Sequence, residues 1–113
     1  MSSDQWKFRI QDILSSIEAI FEYTEGLDFE AFVSDRRTVD AVIRNLIVIG
    51  EAAARIPENV LKDHSEIPWV DMRDMRNFVV HEYFRINDQI VWETIKKDIP
   101  PLVEPLRNLI ANH

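Results

Sequence analysis

Apolar side chains recur every three or four residues along much of the chain, which is the spacing of one face of an α-helix. A first apolar stripe lies within residues 4–25 and a second within residues 36–56. Their members are Trp6, Ile10, Ile13, Leu14, Ile17, Ile20 and Phe21 in the first, and Val39, Val42, Ile43, Leu46, Ile49, Ala53 and Ile56 in the second. Charged and polar residues fill most other positions. We therefore predict two long amphipathic helices, each with one buried face.

Residues that favour helix ends stand at the borders of these stripes. Gly26 predicts the end of the first helix, since glycine adopts the left-handed backbone that often follows a helix. Asp28 and Asp35 are predicted N-caps of a short helix and of the second long helix, which Pro57 ends. Gly50 lies inside that second helix, where glycine costs about 1 kcal/mol relative to alanine. We therefore expect another helix to approach closely at Gly50.

Prolines and capping residues divide the second half of the chain. Pro68 favours the first position of a helix, which we predict for residues 69–84. Asn87 or Asp88 caps a last apolar segment, and Pro100–Pro101 must kink or restart it because proline has no amide hydrogen. The pattern as a whole predicts an all-α fold, an antiparallel bundle of four to five helices.

The composition agrees with one helical domain spanning residues 1–113. Hydrophobic residues make up 46% and charged residues 29%, which is a globular balance. Two glycines in the whole chain are too few for the turns of a β-rich fold. The absence of cysteine excludes disulfides and thiolate metal sites. No signal peptide and no apolar run of the roughly 20 residues that a membrane span needs are visible, so we expect a soluble cytoplasmic protein.

The formal net charge of −7 restricts how the chain could bind a nucleic acid. Phosphate neutralisation by basic residues supplies much of the affinity of nucleic-acid binders, and this chain as a whole repels RNA. Any RNA contact must come from a local cluster of arginines or from a groove that forms on dimerisation. The acidity equally suits a basic protein partner.

One predicted helix contains most of the residues with useful chemistry. On a continuous helix Asn77 and His81, four residues apart, meet on one face that Arg73 extends by a turn. Arg76 and Tyr83 are seven apart and share a stripe. A histidine exchanges protons near neutral pH, and an arginine holds a phosphate and stabilises its developing charge. These are the parts that metal-free RNA cleavage requires.

Less specific interpretations of the same residues remain open. His81 lies beside apolar residues and suits a hydrogen-bonded structural role. The arginines suit a solvated or ion-paired face, with Asp71, Asp74 and Glu82 as partners. Glu51 is an exposed glutamate or one that orients Arg73 or Arg76. His64 and Glu66 lack a third ligand at metal spacing. The three tryptophans fit a core or a dimer interface better than RNA stacking.

The motif resembles that of a known family. Arg76, Asn77 and His81 match the arginine–polar–x(3 to 5)–histidine motif of HEPN-domain ribonucleases. Tyr83 extends the match to the Arg-x4-His-x-Tyr pattern of HepT toxins. Further stretches similar to that family follow in the same order along nearly the whole chain, at residues 29–32, 35–38, 41–46, 49–53, 67–69 and 91–92. Glu82 departs from the small residue common at its position and could raise the histidine pKa or repel RNA.

The resemblance implies a HEPN-like homodimer whose two subunits form one composite active site. Arg76 and His81 would be the catalytic pair, supported by Asn77. Tyr83 looks like the tyrosine that a partner nucleotidyltransferase antitoxin of the MntA type modifies with AMP. Arg73 and Arg85 are our candidates for contacts with RNA phosphates.

The function that follows is a metal-independent endoribonuclease, the toxin of a type II/VII-like toxin–antitoxin system. It needs no cofactor, and its expected product is a 2′,3′-cyclic phosphate. The alternative is a non-catalytic helical module that partners a nucleotidyltransferase, which the net charge and Glu82 favour.

Overall fold

The computed structural model describes residues 5–77 and 87–113 of the chain, and within these ranges it contains helices and no strand. The elements, in chain order, are α1 (Trp6–Thr24), α2 (Phe29–Ser34), α3 (Arg36–Ala53), α4 (Glu58–Asp63), α5 (Trp69–Asp74), α6 (Asp88–Glu93), a π-helical turn (Thr94–Asp98), a 3-10 turn (Pro100–Leu102) and α7 (Val103–Ala111). The all-α fold predicted from the sequence is confirmed.

The core forms where α3 packs against α1, with α7 also on α1 and α5 also on α3. Both predicted stripes supply it, and several members are completely buried, among them Ile10, Ile13, Ile20, Val39, Val42, Leu46 and Ile49. Phe32 of α2 is also fully buried and lies 5.1 Å from the ring of Trp92, measured between centroids. Trp6 and Trp69 are buried in the same core, as predicted. Burial of these apolar surfaces is the main stabilisation of the bundle.

Helix ends follow the predicted local chemistry. Gly26 has a φ of +76° and follows the end of α1. The Asp28 carboxylate accepts a hydrogen bond from the Ala31 amide at 2.8 Å and caps α2. The Asn87 side chain caps α6 through the Gln89 amide at 2.9 Å. Each of these contacts lies within three residues of sequence, which is why the sequence alone could predict them.

Asp35 caps α3 with two bonds to one residue. One carboxylate oxygen accepts from the Thr38 amide at 3.3 Å and the other from the Thr38 hydroxyl at 2.8 Å. These hydrogen bonds, the hydroxyl one first, hold the pKa of Asp35 below its ordinary value of 3.8. The first of these bonds satisfies an amide at the start of α3 that has no partner within the helix, and the second holds the carboxylate in place.

One predicted boundary differs from the structure. α3 ends at Ala53 rather than Ile56, and Pro57 occupies the N-cap of α4. Pro100–Pro101 interrupts the last segment as expected, with a π-helical turn before it and a 3-10 turn at it. Of the helix predicted for residues 69–84, the structure describes an α-helix to Asp74 and a 3-10 conformation at 75–77, and residues 78–84 lie outside the described residues.

Within the two described ranges, no helix is both long enough and apolar enough to cross a membrane.

We expect Asp35→Ala to lower the melting temperature at pH 7, because α3 loses its cap. A carboxyl group with a depressed folded-state pKa stabilises the fold above its unfolded pKa and loses that contribution as the pH falls. The difference in melting temperature between wild type and variant should therefore shrink below roughly pH 4. Thermal unfolding followed by circular dichroism from pH 7 to pH 2 measures this.

The matched control is Asp40→Ala, which removes an exposed aspartate from α3 outside its cap. It should change the melting temperature little at any pH. A loss in Asp35→Ala that is independent of pH would contradict the role given to the carboxylate.

Candidate functional site

The candidate site is built where α5 crosses α3 at Gly50. A Cβ atom placed on Gly50 would lie 2.4 Å from the Arg76 amide nitrogen, 2.9 Å from the Arg76 Cβ and 3.0 Å from the Arg73 carbonyl oxygen. Real Cβ atoms do not approach backbone this closely. Glycine is therefore required here, and the close approach predicted from its place inside a helix is confirmed.

This contact fixes the backbone from which two arginine side chains extend. Arg73 and Arg76 are three residues apart, so they lie on the same side of the segment. Arg73 is half-buried, whereas Arg76 and the following Asn77 are exposed. Among the described residues neither arginine forms an ion pair. Two cationic side chains thus extend from one side of the segment without an ion pair to any residue that the structure describes.

The two acidic residues of α5 line a second cleft, and Asp71 also lines the small groove that contains Arg73. Asp71 and Asp74 line a cleft of about 540 Å³ between α5 and the segment that runs from the π-helical turn into α7. We call it the acidic cleft. Its charged lining residues are Glu66, Asp71, Asp74, Lys97 and Asp98. Within the described part of the chain neither Asp71 nor Asp74 forms an ion pair with these arginines. Glu82, the other acidic partner considered for them, lies outside the described residues.

The remaining predicted site residues divide into two groups. His81, Tyr83 and Arg85 lie outside the described residues, as does Glu82. Glu51 is exposed next to Gly50 and makes no ion pair with Arg73 or Arg76 within the described ranges. Its orienting role stays a prediction.

A family model described as "Ribonuclease HepT-like" matches residues 13–109, which is most of the chain. The chain belongs to the HepT-like ribonuclease family. The matched range contains both arginines, Gly50 and the motif that ends at Tyr83.

Individual relatives agree with the family match. The chain is 44% identical over 93 residues to "Probable ribonuclease HepT" from Thermococcus cleftensis, covering 82% of this chain and 84% of that protein. It is 38% identical over 101 residues to a provisionally named RNase from Caldanaerobacter subterraneus, covering 89% of this chain and 90% of the relative. A provisionally named RNase from Methanocaldococcus jannaschii is 34% identical over 103 residues, 91% of this chain and 85% of the relative. No solved structure matches the chain.

A contact between two histidines, His64 and His113, was not predicted from the sequence. The Nε2 atoms of His64 and His113 lie 3.1 Å apart, and the His64 Nδ1 is 3.6 Å from a Glu66 carboxylate oxygen. The His113 ring also packs edge-on against Trp6. His64 and His113 are 49 residues apart, so no local spacing could reveal their contact. Within the described part of the chain no group of three or more such side chains converges as a metal site would.

We expect Gly50→Ala to lower the free energy of unfolding by about 1 to 3 kcal/mol, the usual cost of overpacking, although alanine favours helices. The added methyl group meets backbone atoms of the Arg73–Arg76 segment, which must move. Urea denaturation measures the stability loss, and amide chemical shifts of residues 73–77 report the displacement.

Ser15→Ala is the control, since Ser15 is exposed on α1 and gains only helix propensity. It should leave the stability unchanged or slightly higher and the shifts of residues 73–77 unaltered. A Gly50→Ala protein as stable as wild type, with unchanged shifts in that segment, would show that the crossing tolerates a side chain.

Proposed function

We propose that this HepT-like chain is a metal-independent endoribonuclease, the toxin of a type II/VII-like toxin–antitoxin system. Its residues 1–113 form one domain, and two copies build a composite active site at their interface. The observation that supports this most directly concerns Arg76, which lies five residues before His81. Arg76 is exposed, forms no ion pair among the described residues, and has its backbone packed against Gly50. The family match supports RNA as the substrate, and the role of Arg76 is part of this proposal.

In the proposed reaction the ribose 2′-oxygen attacks the adjacent phosphorus in line. A new P–O2′ bond forms, the P–O5′ bond breaks, and the products are a 2′,3′-cyclic phosphate and a free 5′-hydroxyl. His81 takes the proton from the 2′-hydroxyl or protonates the leaving 5′-oxygen, and a dimer supplies two such imidazoles. Arg76 stabilises the charge on the phosphate oxygens as the five-coordinate state forms. Asn77 supports this pair.

The charge arrangement around α5 supports RNA binding by so acidic a protein. Arg73 and Arg76 share one side of the segment, and dimerisation would place two further arginines in the same groove, along with Arg85 of each copy. The acidic cleft lies on another surface, between α5 and the C-terminal segment. A local positive field is what a phosphate chain needs, whatever the sign of the total charge.

AMP on Tyr83 would inhibit the enzyme through charge and bulk. A partner nucleotidyltransferase antitoxin would transfer AMP from ATP: the tyrosine oxygen attacks the α-phosphorus, the bond between the α- and β-phosphates breaks, pyrophosphate leaves, and the phenol proton passes to solvent. The modification places a negative group near Arg76, where it repels substrate phosphate and occupies its space.

Purified, unmodified protein should cleave RNA in EDTA, whereas His81→Ala should not. Arg76→Ala should reduce the rate roughly 100-fold or more, because one group that stabilises developing charge is lost. Gel analysis gives the rates, and mass spectrometry identifies the cyclic phosphate end.

Arg107→Ala is the matched control, an exposed arginine on α7 whose removal changes the net charge equally. It should cleave at the wild-type rate. Cleavage that requires added metal and is indifferent to His81→Ala would rule out this mechanism.

Co-expression with the partner nucleotidyltransferase should add AMP to wild type and not to Tyr83→Phe, as intact-mass measurement would show. The modified protein should lose cleavage activity, because the new phosphate competes with RNA at Arg76. Tyr83→Phe should cleave equally with or without the partner. Modification that leaves cleavage unchanged would contradict the inhibitory role.

The acidic cleft favours a second candidate function, a non-catalytic helical module that binds a nucleotidyltransferase. Glu66, Asp71, Asp74 and Asp98 suit a basic protein surface, and Lys97 is the one basic residue among the cleft's lining residues. On this alternative His81→Ala weakens partner binding or stability, and a confirmed dimer with unmodified Tyr83 cleaves no RNA.

A further inference from the structure

A small groove lies beside Arg73, where the end of α4 meets the start of α5, and we call it the α4–α5 groove. Its volume is about 330 Å³. Its lining residues are Leu61, Ser65, Ile67, Pro68, Trp69, Val70, Asp71 and Arg73. Most of them are apolar, and only Pro68 and Asp71 are shared with the lining of the acidic cleft. The groove therefore combines a mostly apolar lining with one cation, Arg73, and one carboxylate, Asp71.

Val70 is the unusual residue of this groove, because 58% of its surface is exposed. Val70, Arg73 and Arg76 follow one another at intervals of three, so they form a row along one side of the segment. The row presents an apolar surface, then one guanidinium, then a second. Trp69 behind it is buried, and its indole N–H donates to the His64 carbonyl oxygen at 3.0 Å, which fixes that wall of the groove.

We propose that the α4–α5 groove is a nucleobase subsite. It holds one base of an RNA chain against Val70 and Pro68, while the phosphate attached to that nucleotide contacts Arg73. This inference rests on the proposed ribonuclease function, in which Arg76 binds the scissile phosphate, and it places the bound nucleotide next to the cleaved linkage.

Size and chemistry both match a single nucleotide. Small-molecule sites span roughly 300–1,000 Å³, and the groove lies near the lower limit of that range. This volume suits one nucleoside rather than a duplex or a folded peptide. A base has apolar faces and polar edges, and Ser65 and Asp71 supply polar groups for the edge. Arg73, which has no ion pair among the described residues, supplies the charge for the phosphate.

The test uses the full chain with labelled methyl groups, titrated with the four nucleoside 5′-monophosphates and with ribose 5-phosphate, which has no base. Nucleotides should shift the methyl signals of Val70 and Leu61, and ribose 5-phosphate should not. Val70→Thr should weaken nucleotide binding about fourfold, the effect of one apolar methyl contact of about 0.8 kcal/mol. The variant should fold normally because Val70 is mostly exposed.

Ile90→Thr is the matched control, since Ile90 is 53% exposed on α6 and does not line the groove. It should bind nucleotides like wild type. Shifts of equal size with ribose 5-phosphate, or no shift of the groove methyls with any nucleotide, would overturn the subsite. The subsite is also overturned if Val70→Thr dissociates a dimer, measured by light scattering, without changing nucleotide affinity, because the groove would then hold a second copy of the chain.

Cleavage of RNA in EDTA, measured on the same samples, separates the two proposals. Cleavage without groove shifts overturns the subsite alone. Groove shifts without any cleavage by the wild type overturn the ribonuclease function on which the subsite, as a substrate site, depends.

Discussion

The contact between Gly50 and the Arg73–Arg76 backbone connects the core to the surface that we propose binds RNA. α3 is held along α1 by a continuous apolar face, so its backbone has one position relative to the bundle. α5 rests on that backbone without an intervening side chain. The placement of both arginines is thus determined by core packing rather than by α5 and the 3-10 turn that follows it, since a helix of six residues would be unstable in isolation.

The six-residue helix α5 also borders two surfaces that differ in charge. Arg73 borders the α4–α5 groove, and Asp74 lines the acidic cleft, one residue further along the chain. Successive helical residues are about 100° apart, so neighbours in sequence reach different surfaces. Arg73 and Asp74 can therefore reach different surfaces although the chain as a whole has a net charge of −7. The linings of the two surfaces share only Pro68 and Asp71.

Local interactions made much of the fold predictable. The caps at Asp28, Asp35 and Asn87 each join groups within three residues of one another, and the left-handed Gly26 needs only its own backbone. The buried stripes followed from helical periodicity. The end of α3 was less predictable. The helix stops at Ala53, three residues before the predicted end at Ile56, which precedes Pro57.

The sequence by itself determined the all-α class, the buried faces, the caps and the motif from Arg76 to Tyr83, because each depends on residue type and short spacing. It also indicated a close approach at Gly50, since a glycine inside a helix is costly without one. Only the tertiary structure decided what approaches Gly50, which surface each charge of α5 faces, and that His64 meets His113. These are contacts between distant parts of the chain, and their geometry depends on how whole helices pack.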